Sequence, residues 1–291
     1  MRSYRRVSAT SLAVAVMAVG SLLTACSSDS SGDDPVALKG PGAHTPPTGQ
    51  GSGTPASART TATYTLDTGT GAVALDETVR RLKARAAAFG LDGAVIEAHG
   101  STITAQAPGD ATDKLRQIAA TANLLFRPVL TDGAATPEVR KAYATLDCSP
   151  KSHGTALPSI SSQPTAGCDR DLGQKYLLGP AAIVGTDVKS AKSQLATGGQ
   201  WAVDLDFTAA GSAKFAAITA TLSQQTSPAN QFAIVLDGDV LSAPMVQQAI
   251  TGGQAQITGT FTRQRAVDLA ALISSGALPV RLTVGSVTVQ R

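Results

Sequence analysis

The apolar residues between Thr63 and Val129 switch period, from two to helical spacing and back, and this switch most constrains the fold. Thr63–Leu66 predicts a short strand. Leu75, Val79, Leu82, Ala86 and Phe89 then recur at helical spacing on one face, and Gly90 ends the run. Ala94–Ala98 and Thr102–Ala107 alternate on either side of His99-Gly100, which predicts a hairpin. Asp110 is placed to cap a second helix, with Asp113 at its third position and Leu115, Ile118 and Ala122 inward. Leu124–Val129 closes the series as an apolar strand. The expected order is βαββαβ, the split arrangement of ferredoxin-like domains, over residues 63–130 of an α+β protein.

Residues 131–175 carry Pro137, Pro150, Pro158 and Pro164 and predict a loop-rich excursion. Cys148 and Cys168 lie in it. A disulfide between them would close a roughly 20-residue loop and contribute about 3 kcal/mol. The alternative is a metal site with His153 between the two, although that spacing matches no familiar ligand pattern. The disulfide is the preferred reading.

Residues 176–279 predict a second α+β unit. In Ala202–Phe207, Val203, Leu205 and Phe207 face one side and Asp204 and Asp206 the other. A helix is expected over Gly211–Leu222 with Phe215, Ile218 and Leu222 inward. Phe232–Leu236 and Val240–Ser242 flank Asp237-Gly238, a strong signal for a type I′ turn because both central residues take positive φ. Thr262 caps a helix running to Ser275, and Gly276 ends it. Residues 280–291 predict a last strand, with Val280, Leu282, Val284 and Val287 alternating imperfectly and the chain returning to the first unit. The second unit is therefore expected as an α+β insertion between the ferredoxin-like first unit and a strand that returns to it.

The amino terminus has a different composition. Arg2, Arg5 and Arg6 precede an apolar stretch, Ser11–Leu23, too short to span a bilayer comfortably. Leu23-Thr24-Ala25-Cys26 looks like the bacterial lipobox, so residues 1–25 are expected to be a cleaved lipoprotein signal and Cys26 the lipidated residue. Arg5-Arg6 suggests the twin-arginine route, but Val7-Ser8 fit that pattern poorly. Residues 26–62 are Ser, Gly, Pro, Thr and Asp with few large apolar side chains, which predicts a flexible tether. The chain has 24 basic and 21 acidic residues; losing Arg2, Arg5 and Arg6 with the leader leaves 21 against 21. A neutral, aromatic-poor chain lacks the basic footprint of nucleic-acid binding. No later segment approaches eighteen uninterrupted apolar residues, so the expected membrane contact is the lipid alone, on the extracytoplasmic face of the bacterial cell membrane.

Particular words in the chain resemble a known family. They are F-A-I-V-L-D-G (232–238), the S-A-P after it, I-T-G-G-x-A-x-I-T-G-x-F-T (250–262) and A-x-D-L-A with S-G-A-L-P (275–279). Earlier come L-D-x-x-V-x-x-L-x-x-R (75–85) ahead of F-G, A-x-L-L-F-R-P-V (122–129), and Y-L-L-G-P with I-V-G-T-D-V-K-S-A. Together they resemble the SecD half of the bacterial SecDF protein-export accessory, over its first large domain outside the cytoplasmic membrane. The resemblance implies a ferredoxin-like base and a head that holds emerging polypeptide. The implied partners are unfolded or translocating polypeptide, the Sec translocon and a full-length SecDF. In SecD a transmembrane helix follows this domain, and Arg291 falls about where that helix would begin. The membrane groups that carry protons in that family have no counterpart here, so the chain is not expected to draw on a proton gradient by itself. The competing reading is an envelope lipoprotein that reuses the fold to bind another ligand or partner.

Catalytic patterns are weak. Asp67-Thr68-Gly69 is the triplet of aspartic proteases, but a second copy is absent from the sequence, and paired carboxylates need two. Asp204 and Asp206 fit a solvated sheet face, and Asp237 and Asp239 a turn. His44 lies in the tether, His153 in the Cys loop, and His99 beside a turn; no G-x-S-x-G elbow accompanies them. Gly198-Gly199 and Gly252-Gly253 lack the lysine and context of a phosphate loop. The expectation is a binding protein without catalytic residues, cofactor or metal. On this reading Asp237-Gly238 matters for shape, and Asp237→Asn should be nearly silent.

Overall fold

The computed structural model describes residues 58–66, 71–149, 160–169 and 171–290. All of them fall within one unit, Pro55–Arg291. The chain begins β1 (Arg59–Leu66), α1 (Ala72–Ala88), β2 (Val95–His99), β3 (Thr102–Pro108), α2 (Thr112–Ile118) and β4 (Leu124–Pro128). It continues α3 (Pro137–Thr145), β5 (Thr165–Asp169), β6 (Gln174–Leu178), β7 (Ile183–Val184), β8 (Val188–Leu195) and β9 (Trp201–Phe207). It ends α4 (Ala209–Leu222), β10 (Phe232–Leu236), β11 (Asp239–Ser242), β12 (Gln254–Phe261), α5 (Arg263–Ser275) and β13 (Leu282–Gln290).

The base is an antiparallel sheet in the order β13-β1-β3-β2. Alternation in the sequence sets which side of each strand is buried. Thr60, Ala62, Tyr64 and Leu66 of β1 and Ile103, Ala105 and Ala107 of β3 turn inward. They meet Leu82, Ala86 and Phe89 from α1 and Leu115 and Ile118 from α2. The Tyr64 hydroxyl, fully buried, donates to the Leu115 carbonyl at 2.6 Å.

Leu124–Val129 does not complete this sheet, contrary to the sequence expectation. β13 takes the fourth position, pairing with β1 from Arg59↔Gln290 to Leu66↔Leu282. The reason is burial. Leu124, Leu125, Phe126 and Arg127 are all buried, with Leu124 and Phe126 in one apolar cluster and Leu125 in another. An unbroken apolar run suits a strand covered on both faces, whereas the base sheet has one covered face and needs alternation. β4 is accordingly an inner strand of a six-stranded sheet in the order β6-β5-β11-β10-β4-β7. The base thus closes around an insertion that leaves after α2 and returns before β13.

The inserted head packs that sheet, α4 and α5 against a three-stranded sheet in the order β12-β9-β8. Phe126, Phe207, Phe215 and Phe232 meet at its centre, with ring centroids 4.8–6.3 Å apart. Residues 131–175 also depart from expectation, since they contain α3 and β5 (Thr165–Asp169). Thr136 caps α3, accepting from the Val139 N–H at 3.4 Å, and Pro137 stands at the helix start. That proline signals a helix start, where its missing N–H costs nothing. α2 begins later than expected: Asp110 accepts from the Thr112 N–H and hydroxyl, and Ala122 lies beyond the helix. Among the described residues no helix is long and apolar enough to cross a membrane.

Candidate functional site: the junction of base and head

The chain crosses between base and head twice, and both crossings meet α1. The outgoing crossing, Ala119–Asn123, follows α2. The returning crossing follows α5 at Gly276 and leads to β13. Arg85 sits between them, fully buried. Its guanidinium donates to the carbonyls of Ile118 at 2.7 Å, Ala120, and Thr121 at 3.4 Å on the outgoing side. On the returning side it donates to the Ser275 hydroxyl and the Gly276 carbonyl, both at 2.9 Å. Burial pushes the guanidinium down to about 10, which leaves it charged at neutral pH.

Arg81, one helical turn earlier, donates to the Ala277 carbonyl at 2.7 Å and the Ser275 carbonyl at 3.3 Å. Its Nε is held by Glu77 at 2.6 Å. Hydrogen bonds from Arg80 and then Arg81 hold the Glu77 carboxyl down at about 2. Gly276 ends α5 at φ 72, and a Cβ there would meet Arg81 Nη1. The crossings are also joined directly, since the Leu278 N–H donates to the Thr121 carbonyl at 2.8 Å. Leu272 and Leu278 continue the base core toward the head.

The hairpin turn between β10 and β11 reaches the same place. Asp237 has φ 51 and Gly238 φ 95, both positive as a type I′ turn demands. The Asp237 carboxylate accepts from the Ala122 N–H at 2.9 Å and the Asn123 N–H at 2.8 Å. The Asp237 N–H donates to the Asn123 carbonyl at 3.1 Å. Ala122 is held at φ 57, a left-handed backbone rare for alanine. These contacts give reason to expect Asp237→Asn to be felt, because an amide offers one acceptor oxygen where the two N–H groups now bond separate carboxylate oxygens.

Sequence reasoning misses Arg85 and Arg127 as organising residues, although a signal exists. Each is a charge within an apolar stripe, Arg85 on the inner face of α1 and Arg127 inside the run L-L-F-R-P-V. Arg127 is fully buried and donates to the carbonyls of Gln163 and Ile160 at 2.8 Å and Gly179 at 2.7 Å.

The remaining candidates lie apart from the junction. Cys148 and Cys168 are joined as a disulfide, with Cα atoms 5.4 Å apart, tying the segment after α3 to β5. Asp204 accepts from Gln256 at 2.8 Å; Asp206 accepts from Gln254 at 2.8 Å and Ser190 at 2.9 Å. Those bonds from Gln254 and then Ser190 lower the Asp206 carboxyl below its ordinary range, the opposite of what a general acid needs. His99 lies exposed 3.6 Å from Glu97. Cys26, His44, Asp67-Thr68-Gly69 and His153 lie outside the described residues.

Comparison with known proteins points one way. Residues 162–280 match the family model for the SecDF P1 head subdomain, a span that starts ahead of Tyr176 and takes in β5. Protein translocase subunit SecD of Streptomyces coelicolor is 44% identical over 162 residues, covering 53% of this chain and 28% of that protein. Protein translocase subunit SecDF of Thermus thermophilus is 32% identical over 211 residues, covering 71% of this chain and 26% of that protein. The chain spans only about a quarter of the length of these relatives. Among solved structures, one described as a membrane component SecDF that enhances protein export superimposes with TM-score 0.55 and 28% identity. That match covers 78% of this chain and 98% of that one. SecDF in its super-membrane-facing form gives TM-score 0.58 and 26% identity, over 80% of this chain and 30% of that one.

Proposed function

The described part of this chain is a SecD-family P1 region, and from that premise we propose that it serves protein export by engaging unfolded or translocating polypeptide outside the cytoplasmic membrane. In this reading Cys26 carries the lipid that holds it at the membrane, near the Sec translocon or a full-length SecDF. The protein works by binding, without catalysis.

The observation that carries the reading is the contrast between the two edges of the head's three-stranded sheet. β8 contains Lys189 and Lys192, and its Ala191 N–H and carbonyl are both taken by the Ser274 hydroxyl of α5, at 3.0 and 2.9 Å. Folded proteins guard edge strands in these two ways. β12, at the other edge, reads Q-A-Q-I-T-G-T-F, with no charge and no proline. An extended segment adding to β12 is held by main-chain hydrogen bonds, which are indifferent to its sequence. Such tolerance suits a protein that must meet many export substrates.

The test is binding of the purified protein to a reduced, carboxymethylated chain and to the same chain folded. The unfolded chain should bind and the folded one should not. Thr258→Lys puts a charge on the β12 edge and should weaken that binding at unchanged stability. Equal affinity for both forms of the chain would sink the reading.

A further inference from the structure

At one end of the head's three-stranded sheet the apolar face runs past the core. Trp201 shares a face of β9 with Val203, Leu205 and Phe207. It stands directly opposite Leu195 of β8 and Phe261 of β12, and cross-strand partners share a face, so the three form one row across the sheet. Trp201 and Phe261 pack only partly on the head core, and Leu195 is 58% exposed. The turn that joins β8 to β9 is closed by the Ala196 N–H, which donates to the Gln200 carbonyl at 2.8 Å. Residues 197–200 of that turn are exposed and carry no charge. Charge stands just behind the row. The Arg263 guanidinium lies 5.8 Å from the centre of the Trp201 ring. Arg265 lies 3.8 Å from Asp171, whose neighbour Leu172 is 65% exposed. Both arginines occupy the first turn of α5, where a cation opposes the helix dipole, so the helix gains nothing from them. α5 runs 13 residues from here to the junction, which sets the arginines about 20 Å from Gly276.

We propose that this row is a membrane contact: Leu195, Trp201 and Phe261 enter the boundary between headgroups and acyl chains of an anionic bilayer, and Arg263 and Arg265 meet its phosphates. This goes beyond polypeptide binding and depends neither on it nor on a lipid at Cys26. An indole at that boundary, with an apolar body and a polar N–H, is the chemistry of membrane-interface anchors. The uncharged turn enters without burying a charge. The apolar row gains by leaving water, and each arginine is drawn to the negative surface. A polypeptide fits this place less well, because it needs a free strand edge, and β9, which carries the indole, is paired on both sides. Phe261 ends β12, so a segment paired along that strand would lie beside the bilayer.

The test reads Trp201, the only tryptophan in the sequence. The full chain is mixed with phosphatidylglycerol vesicles, plain or with bromine on the acyl chains near the headgroups. Emission excited where tyrosine does not absorb comes from this row alone, so it reports the contact whatever else holds the protein to the bilayer. It should shift to the blue and be quenched by the bromine, and brominated phosphatidylcholine should quench it less. Arg263→Gln and Arg265→Gln should each lower the ratio of quenched to unquenched emission about fivefold, the worth of one cation at an anionic surface. Leu195→Ser should also lower it, and Val73→Ser, at an 85% exposed site on α1, should leave it unchanged. Each variant is compared with itself in buffer, since Arg263 touches the indole. The proposal is overturned if phosphatidylglycerol leaves the parent unshifted and unquenched, if phosphatidylcholine quenches as strongly, or if the three tip variants are quenched like the parent. It also falls if a reduced, carboxymethylated chain moves the emission and vesicles do not, which would make the row part of a polypeptide site.

Discussion

A buried charge is the residue-scale signature of this protein. Arg85 is charged, fully buried, and answered by neutral oxygens. Its five donors match several carbonyls that converge where helices end and cannot bond one another. Replacing it with methionine of similar reach leaves those oxygens orphaned at roughly 1–3 kcal/mol for each that water cannot reach. Arg85→Met should therefore lower unfolding free energy by about 3 kcal/mol or more, measured by denaturant titration. Arg85→Lys should recover only part, because an ammonium carries three donors and no planar fork. A loss within the range of ordinary surface substitutions would mean that the carbonyls find other partners.

At the scale of elements, what the sequence discloses depends on whether one face or two are covered. β3 and β9 alternate, and their bounds are legible because each has one wet side, whereas β1 is legible only over Thr63–Leu66: its first residues, Arg59–Ala62, lie in the stretch read as tether and are strand. β4 is legible as a strand but not as a partner of the head, since an unbroken apolar run names no neighbour. α3 (Pro137–Thr145) hides behind prolines that read as loop, and β8 and β12 are too polar to stand out. The junction is illegible for another reason: Arg85, Ala122, Asp237 and Gly276 are up to 191 residues apart in sequence and meet only in three dimensions. The Cys148–Cys168 bond closes a separation of 20 residues around the segment between α3 and β5. Cys148→Ser with Cys168→Ser should cost about 3 kcal/mol, the loop-closure entropy of a link that size. Reducing the parent should lower its stability to match. A reduced parent as stable as the oxidised one would show that the head sheet alone organises β5.

For the whole molecule, the central claim is that a base with an inserted head presents an open, uncharged edge to polypeptide in transit. The topology favours this, because β13 returns to the base and anchors the insertion at both ends. Whatever β12 holds is therefore carried on a frame that cannot fray from one side. The most direct measurement is photocrosslinking in intact cells, with a photoreactive residue at Thr260, exposed at the end of β12, or at Ala213, exposed on α4. The prediction is that Thr260 captures exported chains before they fold, that Ala213 does not, and that capture fades when export is stopped. Equal capture at the two positions, or capture at Thr260 that persists without export, would contradict it.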